Sequence, residues 1–588
     1  MNPLILSILF TSIFFLGLRL LHQNKLIWVL LLLSLLPVFL VYLWNPDFRI
    51  YAWHGFMHTS IVYQIRNGII PPSNPLLAGE PLLYPWGSHV LVAGLSSILN
   101  LSPPNVFVLL NICYLLLTLI LVFKISTLIA SDRIAGIFAA FLAIFGITFV
   151  NGSLFDRILR KITFISDIKI DRRPIPPFGK FVSSGANNQC GIFLFTLFLY
   201  SILQISLNRS KVKKIYYFSL FASTSATAFF YPLYLPALIA SGFTCCIVLC
   251  LTRKKQSFVR SGIIVSSLIL STAVVFPYLY QISANKSEAA QITLAILEPG
   301  HLLRNTIVYF SVVFPVLIIT IWRRKAFLKI FHTQPLAVSI LLAVAATTAS
   351  MYIFIRGATT SVEYKYLILG FVVFSILSSI SFRDLYFKNQ LICFCLITSF
   401  LLPLSSLILK ISSLPTASDR YIDRGIDLLH GNPDEEDLYA WMRKQTQPDS
   451  IFIDSSRKIP VFGQRQLYLG IDSEEGTFSE LDGWWSSTQR LLIEQGYPRE
   501  LIERRQRLMD VIYSKDRDAI EHDTARELIE TAKRKNLYIV SRDRETDRKL
   551  LASQYFDRVY TNRDISVYQL IDSQDVFPDK NAFKRVQG

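Results

Sequence analysis

Apolar runs of seventeen to twenty-one residues recur from Pro3 to Ile411. Each is long enough to cross a hydrocarbon core of roughly 30 Å. Backbone groups in lipid must be hydrogen-bonded within the segment, so runs of this length are confined to helices. The pattern predicts an α-helical polytopic membrane protein with about 12 spans. They are expected near 3–21, 26–44, 105–123, 134–150, 190–206, 215–230, 233–251, 262–282, 306–322, 335–355, 364–382 and 390–411. The first run, "PLILSILFTSIFFLGLRLL", has no basic leading region and no small-residue cleavage site, so it is expected to stay as a helix.

Charge divides the chain in two. Residues 1–411 carry 32 Lys+Arg and 10 Asp+Glu, whereas residues 412–588 carry 27 and 32. The change near Ser412 predicts a membrane domain over 1–411, with a first large loop at 45–104, and a water-soluble domain over 412–588. The overall charge of +17 sits largely in short loops between spans. It therefore points to anionic lipid rather than to nucleic acid. All seven cysteines lie in or beside apolar runs, which suits small packing residues and leaves the soluble region without a disulfide.

The loops "NRSKVKK", "TRKKQSFVR" and "WRRKAFLK" are strongly basic, as cytoplasmic loops are. One alternation of twelve spans accommodates them and puts both termini and the 45–104 loop outside. The stretch "DRILRKITFISDIKIDRRPIPPFGK" (156–180) falls outside despite seven basic residues. The short run "GSHVLVAGLSSILNL" (87–101) is expected to lie in the membrane interface rather than to cross. Eight of the ten carboxylates before residue 412 then face outward: Asp47, Glu80, Asp156, Asp167, Asp171, Glu288, Glu298 and Glu363. Only Asp132 and Asp384 face the cytoplasm. The expected localisation is the plasma membrane, with the C-terminal domain extracytoplasmic.

In the soluble region, "DEEDLYAWMRKQTQPDSIFID" reads as helix, turn and buried strand, followed by a charged helical stretch at 486–535. Next come the strand "NLYIVSRD", a helix near 545–553 and a hairpin turning at Thr561–Asp564. This alternation predicts a small α/β domain that folds by itself. It has no phosphate-binding glycine loop, no paired metal-ligand spacing and no nucleophile elbow.

The chemistry is expected in the 45–104 loop. Asp47, His54 and His58 could hold a divalent cation, because two histidines four apart share a helix face. Alternatively, one of them could act as a general base. Glu80, Tyr84 and His89 follow on the approach to the interfacial run. Arg66, Arg304 and Arg356 fall outside and could meet a lipid phosphate, and "LEPGH" adds Glu298 and His301 in another outer loop. Each of these residues also has a simpler reading. Imidazoles hydrogen-bond interfacial backbone, and arginines at helix ends snorkel to water.

Three features resemble the GT-C superfamily of polytopic glycosyltransferases, in particular bacterial members related to the protein mannosyltransferase and aminoarabinose transferase group. They are the outer loop "MHTSIVYQIRNGIIPPSNPLLAGEPLLYPWGSHVL" with the span that follows it, the count of about a dozen spans, and a C-terminal domain containing "EEDLYAWMRKQTQPDSIFI" and "YFDRVYTNRDISVYQL". The resemblance implies transfer of a sugar from a polyprenyl-phosphate donor, by inverting displacement, to an acceptor on the outer face. It also implies a catalytic Asp or Glu in the first loop. Here the chain departs from the pattern, because His54 or Gly55 stands where that acid is expected, three or four residues before His58. The base is then Asp47, Glu80 or His54. The competing readings are a non-catalytic scaffold and a transporter. A transporter is expected to carry charged or broken helices at mid-membrane, whereas these spans contain prolines but no carboxylate.

Overall fold

The computed structural model describes residues 8–9, 11–12, 15, 55–145, 188–208, 212–283, 292–295, 298–357, 363–412, 433–454, 458–470, 492–493, 495–514, 520–532 and 536–571. The spans expected at 3–21 and 26–44 lie almost wholly outside these residues. The chain forms two compact units that do not follow the expected division at Ser412. One comprises residues 1–53, 105–284 and 291–415, and the other residues 54–104, 285–290 and 416–588. The loop helices α1 (Gly55–Arg66) and α2 (Gly87–Leu99) therefore belong with the C-terminal region.

The first unit is a helical bundle. Its helices are α3 (Pro103–Ala130), α4 (Arg133–Phe145), α5 (Asn188–Leu207), α6 (Lys214–Phe230), α7 (Leu235–Leu251), α8 (Lys255–Ser283), α9 (Pro299–Trp322), α10 (Arg324–Thr333), α11 (Pro335–Phe354), α12 (Tyr364–Lys388) and α13 (Gln390–Ser412). Among the described residues six helices are long and apolar enough to cross a membrane, or seven if the bent α9 is one span. The protein is thus a membrane protein. α12 is the central helix, with 89% of its apolar window buried, against 22% for α8. That contrast places α8 at the periphery, where Ile269, Leu270, Val274 and Phe276 are exposed as a lipid-facing helix requires. Close packing depends on small residues. A Cβ at Gly136 would stand 2.5 Å from Thr127 Oγ1 of α3, so only glycine permits that approach of α4.

The two ends of α12 differ in charge. Near its C-terminus Asp132 pairs with Arg383, and Asp384 takes Arg323 at 3.7 Å and Lys388 at 3.0 Å. Glu363 adjoins the other end, about 35 Å away at 1.5 Å per residue. At that end β1 (Ile292–Leu294) pairs antiparallel with β2 (Ile355–Gly357) and ties the entry of α9 to the exit of α11.

The second unit is built on a five-stranded sheet in the order β4-β3-β5-β7-β6. Its strands are β3 (Ile451–Ile453), β4 (Gln466–Leu467), β5 (Leu537–Ser541), β6 (Phe556–Thr561) and β7 (Ser566–Leu570). β3 is parallel to both β4 and β5, whereas β7 is antiparallel to β5 and forms a hairpin with β6. The parallel strands "IFI" and "LYIVS" are buried along their length, as strands covered on both faces are. The helices are α14 (Pro433–Gln445), α15 (Arg499–Tyr513), α16 (His522–Ala532) and α17 (Arg544–Ala552). α14 opens with Asp434, Glu435 and Glu436 and closes with Arg443 and Lys444, which complements its dipole. Asp543 caps α17 by accepting from Glu545 N and Thr546 N.

This unit is not the C-terminal stretch alone. Leu76, Leu77, Ala78 and Leu83 sit in one core cluster with Leu438, Phe452, Leu467, Met509 and Ile539. Leu467 N donates to Pro75 O at 2.9 Å, Ala78 N to Leu467 O at 2.8 Å and Gly470 N to Leu76 O at 2.8 Å. The loop thus extends the sheet beyond its edge strand β4 and covers backbone groups that an isolated 416–588 fragment would expose. Nothing local in "PSNPLLAGEPLL" marks it as a partner of that strand.

Candidate functional site

Two polar clusters hold most of the expected site residues. The first lies in the loop unit. His58 on α1 and His89 on α2 are buried and stacked, with ring centroids 5.0 Å apart and His58 Nδ1 2.7 Å from His89 Nε2. Tyr84 packs edge-on to His58 at 5.5 Å and to His89 at 6.5 Å.

Burial drives the His89 pKa down to about 3, so that ring stays neutral, while a hydrogen bond to the Trp86 backbone acts in the opposite direction. Ser88 Oγ lies 3.5 Å from His89 Nδ1, and the direction of the bond between the two rings follows the tautomer. The result is a buried imidazole pair in which His89 is neutral.

A closed turn carries the chain between the two histidine helices. Asn74 N donates to Glu80 O at 2.9 Å, Asn74 Oδ1 accepts from Leu76 N at 2.8 Å, and Ser73 bridges Pro81. Gly79 supplies a positive φ of 81° inside this turn, where a side chain would be strained. The Glu80 carboxylate lies 3.3 Å from the buried Arg505, which also donates to Ala78 O at 2.8 Å and Tyr468 O at 2.6 Å. Glu80 therefore joins the loop to the C-terminal helix α15 rather than facing the histidines. Arg66, in the last turn of α1, donates to Ser96 Oγ on α2 at 3.1 Å. Asp47 and His54 lie outside the described residues, so the expected grouping of Asp47, His54 and His58 is not described. Among the described residues no group of three His, Cys, Asp or Glu side chains could hold a metal ion.

The second cluster lies at one end of the helical bundle. Here the starts of α5, α7, α9 and α12 meet the ends of α6 and α11. Tyr234 Oη donates to Asn188 Oδ1 at 2.5 Å, Tyr366 Oη to Leu233 O at 3.2 Å and Asn305 Nδ2 to Tyr352 O at 2.9 Å. Asn305 Nδ2 also lies 2.9 Å from His301 Nε2, and Glu363 Oε1 is 3.9 Å from that nitrogen. Glu298 pairs with Arg356. Arg304 is on α9, with its side chain outside the description. Lys365 Nζ stands 5.4 Å from the Tyr231 ring centre and 5.9 Å from that of Tyr364. Gly191 is obligatory here, because a Cβ would come within 2.5 Å of the Tyr234 ring.

The sequence reading placed Glu298, His301 and Arg356 in outer loops, but it did not single out Lys365, Asn305 or the Tyr234–Asn188 bond. Nor did it single out Arg505 or Tyr497. Arg505 did carry a signal, since it stands on the buried face of α15 with Ile502, Met509 and Ile512.

No family model matches the chain, and no curated protein sequence matches it. Solved structures do match. ArnT from Cupriavidus metallidurans in the apo state aligns over 93% of this chain and 98% of its own, with 10% identity and a TM-score of 0.50. The same protein bound to undecaprenyl phosphate gives a TM-score of 0.48 over the same shares at 10% identity. The archaeal oligosaccharyltransferase AglB from Archaeoglobus fulgidus, in complex with an inhibitory peptide and a dolichol-phosphate, covers 88% of this chain and 69% of its own. Its identity is 11% and its TM-score 0.46. At such identities the likeness is one of fold: the chain shares the fold of the ArnT structure over nearly its whole length.

Proposed function

We propose that the protein is a membrane glycosyltransferase that moves a sugar from a polyprenyl-phosphate donor to an acceptor outside the membrane. The observation that carries this reading is the buried, stacked pair of His58 and His89 in the outer loop. In an inverting displacement an acceptor oxygen attacks the anomeric carbon while the lipid phosphate leaves with the bonding electrons. His58 takes the acceptor proton, a role suited to an imidazole near neutral pH. In the helical bundle, Lys365 and Arg356 are cations of the kind that bind a phosphate. Tyr84, His89, Arg66, Glu298, His301 and Arg304 retain substrate-binding roles, and the acceptor is a lipid, a glycan or a protein.

The proposed topology has twelve spans with the α/β domain extracytoplasmic. Two observations support it. The loop and the C-terminal region share one core, so both lie in one aqueous compartment. If each of the ten helices α3 to α9 and α11 to α13 crosses once, the chain returns to the side it left. Cysteines at the exposed Ile70 and Leu551, in a background freed of the native seven, should both react with an impermeant thiol reagent in intact cells. Labelling of only one would break the assignment.

Transfer itself is tested by mass spectrometry of lipid-linked sugars and surface glycans with and without the protein. A lipid-linked sugar that accumulates without the protein, together with a surface sugar that disappears, supports transfer. Unchanged pools favour the scaffold reading, to which the engagement of Glu80 by Arg505 also lends weight.

A further inference from the structure

We infer that the stretch from Gln495 to Arg505 is the positioning element for the histidine pair, with Tyr497 as its central contact. Three side chains grip the histidine-bearing loop at successive points. Gln495 Nε2 lies 3.0 Å from Met57 Sδ, the residue before His58, and its Oε1 accepts from Asn74 Nδ2 at 3.3 Å. The Tyr497 hydroxyl donates to Pro81 O at 2.6 Å and accepts from Leu83 N at 3.1 Å. Leu83 adjoins Tyr84, whose ring packs against both imidazoles. Arg505 closes the series on Ala78 O and Glu80.

The physical argument concerns what else could fix the pair. His58 and His89 stand on separate helices, and their contact requires Nδ1 and Nε2 to be held at hydrogen-bonding distance. The chain between them, residues 67–86, contains no helix, and its only described bridge is Ser73 with Pro81. A segment of this kind does not define the spacing of two helices by itself. Its register comes from backbone bonds to β4 and from these three side chains. Tyr497 is itself buried, and desolvation raises its hydroxyl pKa to about 12, so it remains a neutral donor and acceptor through the physiological range. Both of its bonds fall on backbone groups of the segment leading into Tyr84. Removing one oxygen atom therefore releases two anchors without changing the packing of the ring.

This role in positioning rests on the reading of the pair as the transfer site, so the test uses one readout that does not depend on transfer. The full-length protein in membranes is exposed to diethyl pyrocarbonate, and carbethoxylation of His58 and His89 is followed by peptide mapping. Both rings are buried in the parent, so their modification should be slow. In Tyr497→Phe the rate should rise about tenfold or more as the loop opens locally. Arg505→Lys, which keeps the charge and loses the fork, should act in the same direction. Tyr513→Phe is the control. Its hydroxyl donates to Ile453 O and Val540 O within the same unit and touches neither loop nor histidines, so labelling should stay at the parent rate. In the transfer assay Tyr497→Phe should lower kcat with KM nearly unchanged. Parent-rate labelling in both Tyr497→Phe and Arg505→Lys would overturn the inference, as would equal acceleration by Tyr513→Phe. Faster labelling in an assay that shows no transfer even in the parent would leave the positioning intact and defeat the glycosyltransferase reading instead.

Discussion

The two polar clusters satisfy their buried groups in opposite ways. The loop unit stacks two buried imidazoles, of which His89 is held neutral by burial. The bundle end uses charges: Glu298 with Arg356, Glu363 near His301, and Lys365 against aromatic faces. A neutral His89 avoids the desolvation cost that falls on buried ions. A charged cluster suits an ionic ligand. The difference teaches that base and anion site need not be sought in the same residues, although the sequence presents both as His and Glu in loops.

The largest test of this contrast removes the base. His58→Gln, at equal membrane yield, should lower transfer by about 10²–10⁴-fold, the usual effect of losing a general base. His301→Gln should act mainly on donor KM. If the two variants lose kcat equally, the assignment of different roles fails.

Arg505→Ala comes next. Its guanidinium is 4% exposed and serves two carbonyls and Glu80, so breaking it should cost about 3–5 kcal/mol of stability in the loop unit. Arg356 is partly exposed, and its alanine variant should cost no more than about 1 kcal/mol. Chemical denaturation of the two proteins should separate these values by several-fold, and equal midpoints would remove the distinction between structural and ligand-facing arginines.

The neutral His89 also predicts a direction of pH dependence. His89 titrates near 6.5 when unfolded and near 3 when folded, so between these values the unfolded chain binds more protons. Stability should therefore fall as pH drops from about 6.5 toward 3, and His89→Gln should flatten that part of the profile. A melting curve with the same acid slope in both proteins would show that His89 is not held neutral. The smallest effect expected is at a helix cap remote from either cluster. Asp543→Ala should cost about 1 kcal/mol and leave transfer unchanged, which sets the baseline for losses without function.

Much of the fold could be read along the chain. Ten described helices stand where the apolar runs placed them, from α3 at 103–130 to α13 at 390–412, because hydrophobic length is a local property. Run lengths did not anticipate that only six or seven of the described helices meet the length and apolarity of a full span. In the C-terminal region the helix at Pro433, the strands at Ile451 and Leu537, the helix at Arg544 and the hairpin at Asn562 also occur where periodicity and turn residues put them.

The site was legible only in part. Residue type and loop position singled out His58, Tyr84 and His89, yet spacing suggested His54 as the companion of His58, four residues earlier on one helix face. The partner seen is His89, thirty-one residues later. Glu80 attracted attention as a loop carboxylate, but its partner Arg505 is 425 residues away in sequence. By itself, then, the sequence determined what periodicity and side-chain chemistry encode locally: apolar helices, buried strands, turns and the residues able to move a proton. Only the tertiary structure decided which of these meet and that the loop pairs with strand β4 of the C-terminal sheet. Those outcomes depend on hydrogen bonds and packing between segments from 31 to 425 residues apart, beyond the reach of any periodicity along the chain.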